Sequence, residues 1–409
     1  MKENLSEVLF KPRINVVETS CVSNSLAAQS TADGQEDGRN WYRLLRREYW
    51  AWLGLDPIET EQLFANIAMS DKPRTSELLD TVAGYQPGNW NYEWTQRAVR
   101  HQTKAKKAGD EGDKDLAYKE FLNASYSATI AAYPHFKGDD IAATAQALAH
   151  GNFVSAMEHS DYVCKTIEIP IDGKKVSCYL HLPDTDSVKP VVLVSGGLDT
   201  IQTELYPLFE RFLAPAGIAM LCIDLPGAGH CINWKLQQDS SRIHLAVLDY
   251  LPEVPWVDHA RVAMLGYRFA GNVAARLAFI APERLRAVVT IGSPVDRLFS
   301  DIQRFQSLPQ MYKDCLANRS GVNAANTESL FYRCLPLSLK TQGILGGPKT
   351  QLPMFVVGRK NDPICPEADV SLLNMASPYG EVEMLREVDS LQNYNQIFTK
   401  VTLWLQKQL

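Results

Sequence analysis

From Tyr162 onward, short apolar runs alternate with stretches of helical periodicity, and few folds accept that rhythm. Val163 to Ile169 and Lys175 to His181 read as two strands around Asp172-Gly173, a hairpin turn signal. Val191-Val192-Leu193-Val194 is a continuous apolar run suited to a strand buried on both faces. A helical stretch from Leu205 to Leu213 follows, then a strand from Ile218 to Ile223, a helix from Arg242 to Tyr250 and a strand from Val262 to Leu265. A helix from Gly271 to Ile280 comes next, then strands from Ala287 to Ile291, Met354 to Val357 and Glu381 to Leu385. Gln396 to Gln408 closes the chain as a helix. Such alternation implies an α/β class, a mainly parallel sheet with helices on both faces. Between Val295 and Pro348 it lapses into mixed helical sequence, which predicts a cap inserted at about 295–348 of a domain spanning 161–409.

The preceding segment reads differently. Trp41, Leu44, Leu45, Tyr49 and Trp52 recur at helical spacing, and Asp56-Pro57 is a helix start. Further helices are predicted from Trp90 to Lys107, Leu116 to Ala132 and Ile141 to Met157, so 39–160 is expected to be a helical domain. Its tryptophans fit a core better than a docking face, and Arg43, Arg46 and Arg47 read as a solvated face. Residues 1–38 end in a polar stretch without periodicity and are expected to be mobile.

Composition narrows the function classes. A net charge of −6 over 409 residues provides no basic face for nucleic acid. No run of about 18 apolar residues exists to cross a bilayer, and Met1 to Phe10 lacks the apolar region of a secretory signal. Eight scattered cysteines without a CxxC pair predict reduced, mostly buried thiols in a cytoplasmic protein, and no metal or cofactor is expected.

The sharpest local feature is Leu265-Gly266-Tyr267-Arg268-Phe269-Ala270-Gly271-Asn272, between a strand and a helix. In α/β-hydrolases this position holds G-x-S-x-G, a tight turn that presents the nucleophile at the sheet edge. Here the nucleophile's place is taken by Arg268, a permanent cation with donors only. Two readings stay open together: an anion-binding spot helped by the following helix N-terminus and the Phe269 N–H, or a structural arginine tied to a carboxylate. Ser195-Gly196-Gly197-Leu198-Asp199-Thr200 resembles an oxyanion loop, with Gly196, Gly197 and Leu198 as anion-binding candidates. Asp199 is expected to pair with Arg268, because both follow adjacent parallel strands. Asp362 occupies the usual place of the triad acid, but no histidine follows His259, so the ordinary serine–histidine mechanism is excluded. His230 is the histidine expected nearest the pocket, as an acid/base or as a plain loop residue. Ser195, Ser293 and Cys365 could replace the nucleophile, yet none has a base near it in sequence.

The helical part carries the distinctive motifs Trp41-Tyr42-Arg43, Gly54-Leu55-Asp56-Pro57, Gly88-Asn89-Trp90-Asn91-Tyr92-Glu93-Trp94 and Ala131-Ala132-Tyr133-Pro134-His135. The remainder carries Gly197-Leu198-Asp199-Thr200-Ile201-Gln202-Thr203, Val257-Asp258-His259, Gly266-Tyr267-Arg268-Phe269 and Ser338-Leu339-Lys340-Thr341-Gln342-Gly343. In these stretches the chain resembles the fermentation–respiration switch protein (FrsA) family. The resemblance implies an α/β-hydrolase fold, a turn that carries arginine throughout the family, and hydrolysis of small carboxylic or acyl esters. It also implies, as an alternative role, binding of the unphosphorylated glucose-specific enzyme IIA of the sugar phosphotransferase system. Two functions are therefore expected to compete: a weak ester hydrolase, or a regulatory binding protein on a hydrolase scaffold.

Overall fold

A computed structural model describes residues 40–324, 326–386 and 391–409. The expected mobile segment 1–38 lies outside the described residues. Eight strands form one sheet: β1 (Val163–Ile171), β2 (Lys174–Leu182), β3 (Lys189–Ser195), β4 (Ala219–Cys222), β5 (Val257–Tyr267), β6 (Ala287–Ile291), β7 (Met354–Arg359) and β8 (Gly380–Leu385). Their order is β1-β2-β4-β3-β5-β6-β7-β8. β1 pairs antiparallel with β2, and β2 with β4; every pairing from β4 through β3 to β8 is parallel. The β1–β2 turn forms where Asp172 and Gly173 both take positive φ, 53° and 74°, as a two-residue hairpin requires.

Alternate residues of the parallel strands feed two cores. Val191, Leu193, Met264 and Val288 point to one face, where Val247, Val273 and Leu277 of two helices cover them. Val192, Val194, Leu265 and Val289 point to the other, against Trp50, Trp90, Phe153 and Leu405. Helices Arg47–Leu53, Pro57–Ala68, Trp90–Asp110, Lys114–Ala132 and Asp140–Glu158 thus share their apolar core with the sheet. Asp56 caps the second of these, accepting from the Ile58 and Glu59 N–H groups, with Pro57 at its first position.

The tryptophans are core: Trp50, Trp90 and Trp94 are fully buried and make edge-on or tilted ring contacts with one another, and Phe64 stacks on Trp90 and meets Trp94 edge-on. The arginines among them correct an expectation. Arg43 is buried and paired with Asp80 at 3.1 Å, and Arg46 lies over the Tyr49 ring at 4.2 Å. An arginine inside an aromatic stripe can bury its stem and stack its planar head, and these two do so instead of facing water.

β5 begins at Val257 rather than Val262, because Lys189 and Val257 pair across a register shift before the apolar part of the strand starts. Between β6 and β7 the chain forms short helices, including Ile302–Gln306, Gln310–Ser320 and Thr327–Cys334. Arg319, in the second of them, is fully buried and donates only to oxygens, those of Leu198, Gly227, His135, Pro134 and the Asn318 side chain, at 2.7–3.1 Å. One side chain thereby ties this inserted segment to the loops after β3 and β4 and to the N-terminal helices. No helix among the described residues is long and apolar enough to cross a membrane.

Candidate active site

β5 ends at Tyr267, and the next helix, Ala270–Ile280, starts three residues later. Arg268 stands between them at φ 55°, a conformation that costs a non-glycine residue free energy and persists only where its surroundings hold it. The close approach needs small neighbours. A Cβ on Gly266 would lie 2.3 Å from the Ala270 carbonyl oxygen, and one on Gly271 would lie 1.7 Å from Ser293 Oγ. Ala270 itself is accommodated, fully buried. Gly266→Ala should therefore destabilise the fold by about 1–3 kcal/mol, read as a lower urea midpoint, since its clash is with backbone that cannot rotate away. An unchanged midpoint would show that the turn can open.

The Arg268 N–H donates to the Ile291 carbonyl at 2.8 Å, and its Nη1 meets Asp362 Oδ2 at 2.5 Å. Arg359 Nε lies 3.5 Å from the same oxygen. Asp362 Oδ1 accepts from the Ile364 and Cys365 N–H groups at 2.9 and 3.0 Å. Burial alone would push the Asp362 carboxyl up; Arg268 first, then Arg359 and the Cys365 N–H, hold it below the ordinary carboxylate range. The residue at the triad-acid position thus serves as counter-charge to two guanidinium groups.

The expected Arg268–Asp199 ion pair is not formed. Asp199 Oδ2 lies 3.8 Å from Arg46 Nη1 and accepts from the Tyr133 hydroxyl at 3.1 Å. Both side chains flank Gly197, whose Cβ position is 3.1 Å from Asp199 Oδ1 and 3.2 Å from Arg268 Cβ. The guanidinium, however, runs the other way, across Gly292, toward β7.

Leu198 N–H and Phe269 N–H donate to no backbone acceptor among the described residues. These are the positions from which a hydrolase loop and turn address a reacting carbonyl oxygen. Tyr312, on the helix Gln310–Ser320, belongs to the same core cluster as Leu198 and Phe269; it is buried, and its hydroxyl finds no partner among the described residues. Beside Arg268, Tyr267, Gly292, Arg359, Asp362, Tyr394 and Phe398 help to line a cavity of about 40 Å³, room for a few waters or a small group.

The other sequence candidates lie elsewhere. His230 Nδ1 faces the Gln202 amide at 2.8 Å and the Ser177 carbonyl at 3.1 Å, and its ring stacks on His150 at 4.2 Å. None of these partners belongs to the Arg268–Asp362 cluster, so His230 is not brought to it. Ser195 does have an imidazole, which sequence proximity did not reveal: His244 Nε2 lies 2.8 Å from its Oγ. Yet the Oγ–H goes to the Ile223 carbonyl at 2.7 Å, which leaves the imidazole as donor, the reverse of a nucleophile–base pair. Both side chains are fully buried, and burial pushes His244 down to about 3. Cys365 Sγ donates to the Ser293 carbonyl at 3.2 Å, and burial pushes its thiol well up, so it stays protonated. Ser293 Oγ is buried without a partner among the described residues. Residues 387–390, where a triad histidine would precede the final helix, lie outside the described residues, and their sequence is Glu387-Val388-Asp389-Ser390. Among the described residues no cluster of histidine, cysteine and carboxylate could hold a metal.

Arg46, Tyr133 and Tyr312 were not legible as site residues. Arg46 immediately precedes the helix Arg47–Leu53 and Tyr133 immediately follows the helix Lys114–Ala132, while Tyr312 lies in the segment between β6 and β7. Their one sequence signal is that Tyr133 sits in an aromatic motif that includes Pro134 and His135.

A strand–turn–helix elbow, oxyanion-loop N–H groups and an acid after β7 define an α/β-hydrolase of esterase-like class. Known structures share this fold: 2,6-dihydroxy-pseudo-oxynicotine hydrolase superposes with a TM-score of 0.71 at 18% identity, covering 88% of this chain and 95% of its own. AbyA5 wildtype gives 0.67 at 22% identity over 86% and 90%. An FrsA-like esterase family model matches residues 1–409, and the chain belongs to that family. Esterase FrsA of Photobacterium profundum is 41% identical over 414 residues, covering 100% of this chain and 99% of the relative. Esterase FrsA of Enterobacter sp. (strain 638) is 43% identical over 414 residues, 99% of each.

Proposed function

We propose that the elbow and the loop after β3 bind a small carboxylic ester and hydrolyse it slowly, through a water molecule instead of an enzyme hydroxyl. The observation that carries the reading is Arg268 in the strained elbow position, braced by buried Asp362, beside the Leu198 and Phe269 N–H groups. Those N–H groups would receive the acyl oxygen, and Arg268 would stabilise the negative charge that grows on it. Asp199 would take a proton from the attacking water as its oxygen adds to the acyl carbon. When the tetrahedral oxyanion collapses, the alcohol leaves with that proton. Neither step calls on a cofactor or metal. Without an activated nucleophile, such a site is limited to about 10³–10⁴ over the water reaction.

Arg268→Ala and Asp199→Asn should each lower turnover of p-nitrophenyl esters at least about a hundredfold. Unchanged rates in both purified variants would remove the pair from the mechanism. The cytoplasmic location and the regulatory role, binding of unphosphorylated enzyme IIA, rest on sequence reading and family membership. The aromatic segments that could have offered a docking face for that partner are buried.

A further inference from the structure

We propose that Tyr312 is a further catalytic residue of this site, its hydroxyl donating a hydrogen bond to an oxygen of the bound acyl group. The inference rests on the ester-binding reading above and adds a donor from outside the hydrolase elbow. Tyr312 is 3% exposed, and its hydroxyl has no partner among the described residues. Its helix otherwise satisfies its long polar side chains. Gln310 donates to Asp314, Asp314 accepts from Tyr42, Lys313 reaches the Gln306 carbonyl, and Arg319 reaches several carbonyls.

A buried phenol without a partner is destabilising, so its retention in this place needs an acceptor that arrives from outside. The charged groups that act on it are Asp199, Arg268 and Asp362, the same residues that surround the elbow. Burial first, then Asp199, pushes its pKa well up, so at neutral pH the hydroxyl can only donate, or accept from a donor, as the neutral phenol. The acceptor it lacks is of the kind an ester carbonyl or a product carboxylate supplies. Tyr133, the other phenol that acts on Asp199, already gives its hydroxyl hydrogen to Asp199 or the Leu44 carbonyl, and so is committed. Tyr312 is the phenol left to meet a ligand.

Tyr312→Phe removes the oxygen and nothing else. With p-nitrophenyl butyrate, kcat/KM should fall about five- to tenfold, the size of one neutral hydrogen bond. Butyrate binding followed by calorimetry should weaken by a similar factor, while the melting temperature should hold or rise, because an unpartnered polar group has been deleted. A structural hydroxyl would do the opposite, lowering the melting temperature and sparing kcat/KM, and that result would overturn the proposal. If the wild-type chain hydrolyses the ester but the variant matches it, Tyr312 is excluded and the hydrolase reading stands. If the wild type turns over no ester, calorimetry decides: weaker butyrate binding in Tyr312→Phe supports the donor even as the hydrolytic reading fails. Equal binding, or none in the wild type, overturns it.

Discussion

Asp362→Asn should lower the stability of the chain by about 3–5 kcal/mol, the usual consequence of removing one member of a buried charge cluster. Asp362 is 3% exposed, Arg359 is 6% exposed, and both Arg268 and Arg359 share its carboxylate. Asparagine keeps the shape and can still accept from the Ile364 and Cys365 N–H groups, so the change is one of charge. Two guanidinium groups would then repel one another around a neutral amide. Arg268 is partly open to water, which places the loss toward the lower end of the range. Urea unfolding followed by circular dichroism measures it. Arg268→Met in the same background should restore part of the loss, since it removes the more exposed of the two cations. A shift below about 1 kcal/mol would show that solvent already screens the cluster.

Acidification should destabilise the protein from about pH 6.5 downward, well above the range where most carboxylates titrate. Burial pushes His181 and His244 down to about 3; burial and then the neighbouring His230 and His135 do the same to His150. In the unfolded chain each would titrate near 6.5. A depressed folded value means that stability is fully present above the unfolded value and is lost as pH falls toward the folded one. Between about 6.5 and 3 each histidine contributes a slope of about 1.4 kcal/mol per pH unit, or about 4 for the three together. That rivals the whole stability of an ordinary domain within two or three units. Asp224, Asp314 and Asp369, raised by burial, bind protons more readily folded than unfolded and offset part of the loss at the acid end. The urea midpoint should hold between pH 7.5 and about 7 and then fall steadily from about pH 6.5 to 5.5. A flat profile would mean that these imidazoles are protonated in place.

Much of the architecture could be read from short signals. Asp172-Gly173 has one geometry that suits a two-residue hairpin, and Asp56-Pro57 has one that opens a helix. The apolar run at Val191 can be buried only as a central strand. The elbow was legible for the same reason: Gly266 and Gly271 stand where any side chain would strike backbone or Ser293. The partner of Arg268 was not. Adjacency in the sheet favours Asp199, since β3 lies directly beside β5, whereas Asp362 follows β7, two strands away on the other side of β6. The longer reach is possible because the residue after β6 is Gly292, at φ 59°, where a Cβ would come within 3.0 Å of Arg268 Nη1. A glycine closing β6 was the available clue. It has meaning only once the strand order is known. The contributions of Arg46, Tyr133 and Tyr312 depend on packing between segments far apart in the chain, 153 residues for Arg46 with Asp199 and 66 for Tyr133 with Asp199, and no local pattern encodes that.

Arg319 carries one more consequence. A guanidinium surrounded by carbonyl oxygens and no carboxylate is a rivet: pulling the inserted helices outward would strand a cation in an apolar gap and leave several peptide oxygens bare at once. Displacing the helix Gln310–Ser320 therefore breaks several hydrogen bonds at once, which fastens Tyr312 to the loops after β3 and β4.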